Sequence, residues 1–332
     1  MKFFRADNAN IQYTGRIDFS DPSKPRFWAA GVYVKARFQG TTCHVILNDE
    51  VLWGNNHNYL TIVIDDKTPI RLQMKEKTDT IRVAENLSKG THTITICKNT
   101  ESGIGYLELI GLLCENVLPL PAKPVRKLEF IGNSITCGTG SDISEIPCDK
   151  NQWYDQHNAY MAYGPRTARE LNAQWHLTSV SGIGLIHSCC DMDIVMPQVF
   201  DKVNQRANTG IWDFKNYTPD AVTVCLGQND GIQDSAAFCS AYVTFLDTIR
   251  NKYPKASIVC LTSPMANEEL KTMQQKYLTS VVDYVNSKGD KQVYKYFFTK
   301  SWNKGCGGHP ELSEHAEIAQ ELTAFLRSTL NW

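Results

Sequence analysis

Four short stretches in the second half of the chain carry residue types that could together transfer an acyl group. The first, LEFIGNSITCGTGSD (Leu128–Asp142), places Ser134 just past an apolar run, with Gly132, Gly138 and Gly140 around it. A serine hydroxyl is a poor nucleophile alone and attacks only when a neighbouring base takes its proton. The same stretch also reads as a helix start in which Asn133 or Ser134 is merely the cap. The second, VSGIGL (Val180–Leu185), could present bare backbone N–H groups at Gly182 and Gly184, or be a plain strand-to-loop turn. In the third, LGQND (Leu226–Asp230), the Asn229 amide could donate to a developing negative charge, or belong to an Asn-Asp turn. The fourth, GCGGHPELSEH (Gly305–His315), holds His309 in a glycine-rich loop before the last helical pattern. An imidazole there could serve as general base, or be a surface histidine without a role. Taken together they supply a nucleophile, a backbone donor, a side-chain donor and a base, the complete set that acyl transfer requires.

These pieces need a scaffold that brings them to one edge. From Leu128 onward, continuous apolar runs such as AVTVCLG (Ala221–Gly227) and SIVCLTSP (Ser257–Pro264) alternate with helical patterns. That alternation predicts a parallel sheet covered on both faces, with its sites in the loops after the strand ends. The expected architecture for residues 127–332 is a three-layer α/β/α domain of flavodoxin-like type. Residues 1–118 read differently. GVYVKARF, YLTIVID, HTITICK and YLELIGLLC are rich in Val, Ile, Thr and Tyr and are separated by turn segments, which predicts an all-β sandwich of jelly-roll type. LPLPAKPVRK, with three prolines in ten residues, is a stiff link, and the boundary is placed over 119–126.

Composition narrows the function classes. With 42% hydrophobic and 21% charged residues and a formal net charge of -1, the chain is an ordinary globular one without the basic footprint of a nucleic-acid binder. No stretch approaches the ~20 apolar residues of a membrane span. The N-terminus lacks the apolar core of a signal peptide, and eleven cysteines occur without a CxxC pair. Both features lead to the expectation of unpaired thiols and a cytoplasmic protein, unless a leader has been removed. The sequence is silent on oligomeric state.

The order GNSIT, a glycine loop, GQND and a terminal GHP resembles the SGNH hydrolases, also called the GDSL family. Adding the all-β first half with FQGTTCHVILND, the proline-rich link and NAYMAYGPRTARELNA, the chain is similar to carbohydrate esterase family 2 over nearly its whole length. The resemblance implies removal of O-acetyl groups from plant polysaccharides such as xylan and mannan, without a cofactor or metal. It implies Ser134 as nucleophile, His309 as base, and an oxyanion hole of the Ser134 and Gly182 amides with the Asn229 side chain. Two departures stand out. Asn133 replaces the family's commoner aspartate. Gly307 and Cys306 occupy the positions where an aspartate usually orients the histidine, so the resemblance points to a Ser–His dyad whose ring is held by a backbone carbonyl, with Glu311 as an alternative remote carboxylate.

Trp302 and Trp153 are candidate walls for stacking a sugar ring. Cys306-x-x-His309 and Cys189-Cys190 have no second ligand pair at zinc spacing, so metal is not expected. Two other readings compete: a different SGNH activity such as a lipase or thioesterase, and a non-catalytic carbohydrate-binding protein.

Overall fold

The computed structural model describes residues 1–332. The first half is a sandwich of two antiparallel sheets, one of five strands and one of six. The strand Cys43–Asp49 shows the cause: its residues alternate between buried and half-buried, so Cys43, Val45 and Leu47 face the partner sheet. They join Phe38, Leu60, Ile94 and Leu109 in a core of 24 buried residues. This strand and Thr78–Ala84 are the longest of the seven strands beyond the four predicted from sequence.

The second half is built on five parallel strands in the order Ala173–Ser179, Arg126–Gly132, Ala221–Cys225, Ser257–Leu261, Val293–Tyr296. The first strand in the chain is thus flanked by the second on one side and the third on the other. Connections leave it in opposite directions and open a crevice at its carboxyl end. The helices Tyr163–Glu170, Ser235–Lys252, Glu268–Ser287 and Leu312–Leu330 cover the sheet. The expected α/β/α architecture is present.

The helix that begins at Tyr163 stops at Glu170, because Asn172 turns the chain with φ +49° and the strand Ala173–Ser179 begins at once. That strand is buried at all seven positions, so it has no polar alternation to announce it.

The two halves share a core. Trp175 stacks on Tyr33 with ring centroids 3.9 Å apart and donates its indole N–H to the Gly31 carbonyl at 2.9 Å. Arg16, fully buried, crosses the seam: Nη1 donates to the Phe200 carbonyl at 2.6 Å and the Lys202 carbonyl at 2.7 Å, and Nη2 to Thr178 Oγ1 at 3.1 Å. Its charge is met by buried Glu129 at 3.5 Å.

The cysteines overturn one expectation. Cys148 is bonded to Cys306 across 158 positions, and Cys189 to its neighbour Cys190, while seven thiols remain free. Spacing in sequence carried no trace of the long pairing, since the loop at Cys148 and the loop at Cys306 meet only in the folded chain.

Candidate active site

Ser134 opens a single helical turn, Ser134–Cys137, directly after the strand Arg126–Gly132. The cap is Asn133, whose Oδ1 accepts from the Ile135 N–H at 3.1 Å. The capping role considered for Ser134 therefore falls to its neighbour, and the Ser134 hydroxyl is free for another partner. That partner is His309, with Nε2 2.8 Å from Ser134 Oγ. The other ring nitrogen, Nδ1, lies 3.0 Å from the carbonyl of Cys306. A carbonyl only accepts, so Nδ1 carries the proton and Nε2 presents its lone pair to the serine hydroxyl. Burial pushes the His309 pKa below its ordinary value, with the Cys306 carbonyl pulling weakly the other way. The ring is therefore neutral, and able to accept a proton, at neutral pH.

Glu311 is not the orienting group: it stands at the N-cap of the last helix, its N–H donating to the Glu314 carboxylate at 3.0 Å and its own carboxylate accepting from the Ser313 hydroxyl at 2.6 Å. The Cys306 carbonyl that meets Nδ1 is itself anchored. Cys306 N–H donates to the Gly140 carbonyl at 2.8 Å, Gly305 N–H to the His309 carbonyl at 2.7 Å, and the Cys306 sulfur is tied to Cys148.

Gly182 has φ +84°, a conformation costly for any residue with a Cβ. It lines the cleft beside Ser134, and its amide has no partner within the protein. Ser134, as first residue of its helical turn, likewise has an N–H without an intrahelical acceptor. Asn229 lies on the same wall; its Nδ2 donates to the Ile183 carbonyl at 2.8 Å and keeps a second hydrogen. The structure thus brings Ser134, His309, Gly182 and Asn229 to one cleft of about 590 Å³.

Two residues that hold this loop were not singled out in the sequence. Asp230, next to Asn229, accepts from the N–H groups of Leu185 (2.9 Å), Ile186 (2.7 Å) and His187 (3.1 Å). Its carboxylate wraps the loop so tightly that a Cβ on Gly184 would lie 1.8 Å from the His187 carbonyl. Glu101, from the sandwich, accepts from Ser181 N–H at 2.6 Å. Burial raises its pKa, and the segment bearing it is pinned by the buried Lys98 ammonium, which donates to the carbonyls of Thr100 (2.6 Å) and Glu101 (3.2 Å). The Asn-Asp pair offered a signal for Asp230; Glu101 lies in the other domain and offered none.

The tryptophans part ways. Trp153 is 56% exposed on the rim of the cleft. Trp302 is 1% exposed, packs edge-on against Phe298, and donates to Glu317 at 2.8 Å, so it is a core residue and not a sugar platform. The glycines and polar residues beside it in sequence are not its neighbours in space.

Comparison with known proteins places this geometry in a family. Residues 13–124 match the model "Carbohydrate esterase 2 N-terminal", and residues 130–290 the "GDSL-like Lipase/Acylhydrolase family". The chain is 32% identical to the cellulase/esterase CelE of Acetivibrio thermocellus over 98% of its own length, yet spans only 40% of that protein. It is 27% identical to an acetylxylan esterase / glucomannan deacetylase of Cellvibrio japonicus, covering 98% of this chain and 91% of that one. A solved family two carbohydrate esterase from Clostridium thermocellum, in complex with cellohexaose, superposes with a TM-score of 0.89 at 30% identity, over 97% of this chain and 99% of the other. With both halves matched and the solved relative spanned end to end, the chain belongs to carbohydrate esterase family 2.

Proposed function

We propose that the protein is a carbohydrate O-acetyl esterase that works through a Ser134–His309 dyad on acetylated mannan- or xylan-derived chains. The observation that carries this reading is the hydrogen-bonded line Ser134 Oγ, His309 Nε2 at 2.8 Å, and His309 Nδ1 to the Cys306 carbonyl at 3.0 Å. In the forward step Ser134 Oγ attacks the acetyl carbonyl carbon while its proton passes to His309 Nε2. The electron pair of the carbonyl moves to oxygen, which the Ser134 and Gly182 amides and the free Asn229 hydrogen stabilise. Collapse breaks the bond to the sugar oxygen, which takes the proton from Nε2 and leaves as a hydroxyl. Water, deprotonated by the same nitrogen, then attacks the acetyl-enzyme and releases acetate and Ser134. The imidazolium formed on the way has a neutral carbonyl instead of a carboxylate to stabilise it. Orientation and the oxyanion hole carry more of the rate for that reason.

The name of the Cellvibrio relative supports the choice of substrate. A sugar ester is favoured over a fatty acyl ester because the walls carry the hydrogen-bonding side chains of Glu101, Thr139, Ser181 and Gln228 beside the apolar surface of Trp153, Met192 and Met265. The test is acetate release from acetylated manno- and xylo-oligosaccharides by wild type, Ser134→Ala and His309→Ala. Release that collapses in both variants supports the dyad. Release that survives Ser134→Ala refutes it, and no release with sugar binding intact would make the protein a binder.

A further inference from the structure

The cleft at Ser134 does not end at the dyad. Gly103 and Arg206, part of its wall, also line a second hollow of about 410 Å³ whose far wall includes Trp28, Leu52 and Trp53. The two hollows form one groove, running from the nucleophile in the α/β half to the turn after the strand Cys43–Asp49 in the sandwich.

The far end has features that the fold alone does not require. Trp53 is 83% exposed. Single exposed apolar residues are common, but this one sits at φ +61°, a region where bulky side chains are outliers. Val51, in the same turn, has φ +51°. Hydrogen bonds from Gly54 N–H to the Val51 carbonyl (2.8 Å) and from Asn56 N–H to the Leu52 carbonyl (3.0 Å) hold this turn and so hold the indole out over the groove. Opposite, Arg206 is exposed on the turn between the strands Lys202–Asn204 and Thr209–Ile211, and its guanidinium makes no ion pair.

Charge decides what kind of ligand fits. Arg206 shares its hollow with Glu50, whose carboxylate already accepts from the Tyr106 N–H at 2.9 Å. With a cation and a carboxylate on the same walls, the hollow has no net positive charge to favour an anion. What remains is an indole face suited to the C–H face of a pyranose and a planar fork of donors suited to hydroxyl and ring oxygens.

We propose that this far end binds the neutral glycan chain flanking the acetylated sugar, with one unsubstituted pyranose stacked on Trp53 and its hydroxyls held by Arg206. This deepens the esterase reading and rests on it for the direction of the chain, while the binding is measurable without turnover. A small ester fills only the Ser134 end and never reaches Trp53.

The experiment compares wild type, Trp53→Ala, Trp53→Phe and Arg206→Ala in two ways. One is kcat/KM on 4-nitrophenyl acetate and on acetylated β-1,4-linked oligosaccharides of increasing length. The other is calorimetric titration with unacetylated xylo-, manno- and cellohexaose. Removing the indole should lower kcat/KM on the longest substrates, and weaken binding of the best hexaose, about tenfold. Phe should restore most of the loss, Arg206→Ala should weaken hexaose binding in the same direction, and 4-nitrophenyl acetate turnover by the Trp53 variants should stay within about twofold, because Trp53 is exposed and lies outside the Ser134 end. The proposal is overturned if hexaose affinity and long-substrate kcat/KM are unchanged in Trp53→Ala and Arg206→Ala, if 4-nitrophenyl acetate suffers equally, or if wild type binds no hexaose. Should wild type release no acetate from any substrate, the esterase reading fails, and the hexaose titration alone decides the fate of the groove.

Discussion

Cys148 offers a direct test of whether a backbone carbonyl can stand in for a catalytic carboxylate. Its bond to Cys306 closes a loop of 158 positions, and the carbonyl of Cys306 is what orients His309. On the chain-entropy description, a loop of that length constrains the unfolded state by about 5 kcal/mol, and removal of a native disulfide commonly costs about 2–5 kcal/mol. Cys148→Ser should therefore lower the melting temperature by several degrees. The effect on rate follows from what still holds the carbonyl. Cys306 N–H keeps its bond to the Gly140 carbonyl, and Gly305 its bond to His309, so the loop loosens without leaving. Complete loss of ring orientation costs about 10⁴ in kcat in a triad enzyme; partial loss here should cost about tenfold, with KM for a small acetyl ester within about twofold. The assay is acetate release alongside a melting curve, for wild type and Cys148→Ser, each with and without reductant. Reductant should bring wild type to the level of the equally reduced variant, and any change it makes in the variant alone reports the Cys189–Cys190 bond in the cleft wall. A lower melting temperature with an unaltered kcat would refute the positioning role, and no change in either would refute the staple itself.

Other outcomes follow from the same geometry. Asn229→Ala removes one of the three proposed oxyanion donors and should lower kcat by about 10²–10³ with little change in KM; a loss under threefold in steady-state kinetics would remove Asn229 from the hole. Because burial holds the His309 pKa below its usual value and catalysis needs the neutral ring, kcat/KM should rise with pH through a single apparent pKa lying below 6.5; a midpoint above 7 in the pH–rate profile would contradict that environment. Buried His176 and His315 are pushed down to about 4 and about 3. The unfolded chain then binds more protons below pH 6.5, so stability falls with acidity, by about 2 kcal/mol for each at pH 5. Urea titrations at pH 7.5 and 5 measure it, and equal midpoints at the two values would refute it.

Much of the site was legible because three of its four residues follow a strand and the fourth, His309, precedes a helix. Ser134, Gly182 and Asn229 all lie just past carboxyl ends of the parallel sheet, and a sheet of this order must put those ends around one crevice. Legibility failed where neighbours in space are distant in the chain. Trp302 looked like a surface aromatic because glycines and polar residues flank it, yet Phe298 and Glu317 enclose it. Glu101 reaches the oxyanion loop from the other domain, and Cys148 reaches Cys306 from the opposite side of the catalytic sequence. The strand Ala173–Ser179, buried on every side, shows no period at all.

The seam between the halves has a consequence for inheritance and engineering. Arg16 is held by carbonyls of Phe200 and Lys202, and Trp175 by the Gly31 carbonyl and the Tyr33 ring. Cutting at the proline-rich link would leave Glu129 as a buried carboxylate with its cation gone, Trp175 newly wetted, and the oxyanion loop without Glu101. Expressed alone, the α/β half should be sticky and poorly active even though both members of the proposed dyad are encoded within it. The smallest piece that recombination can move into another protein and keep working is thus the sandwich and the hydrolase half together.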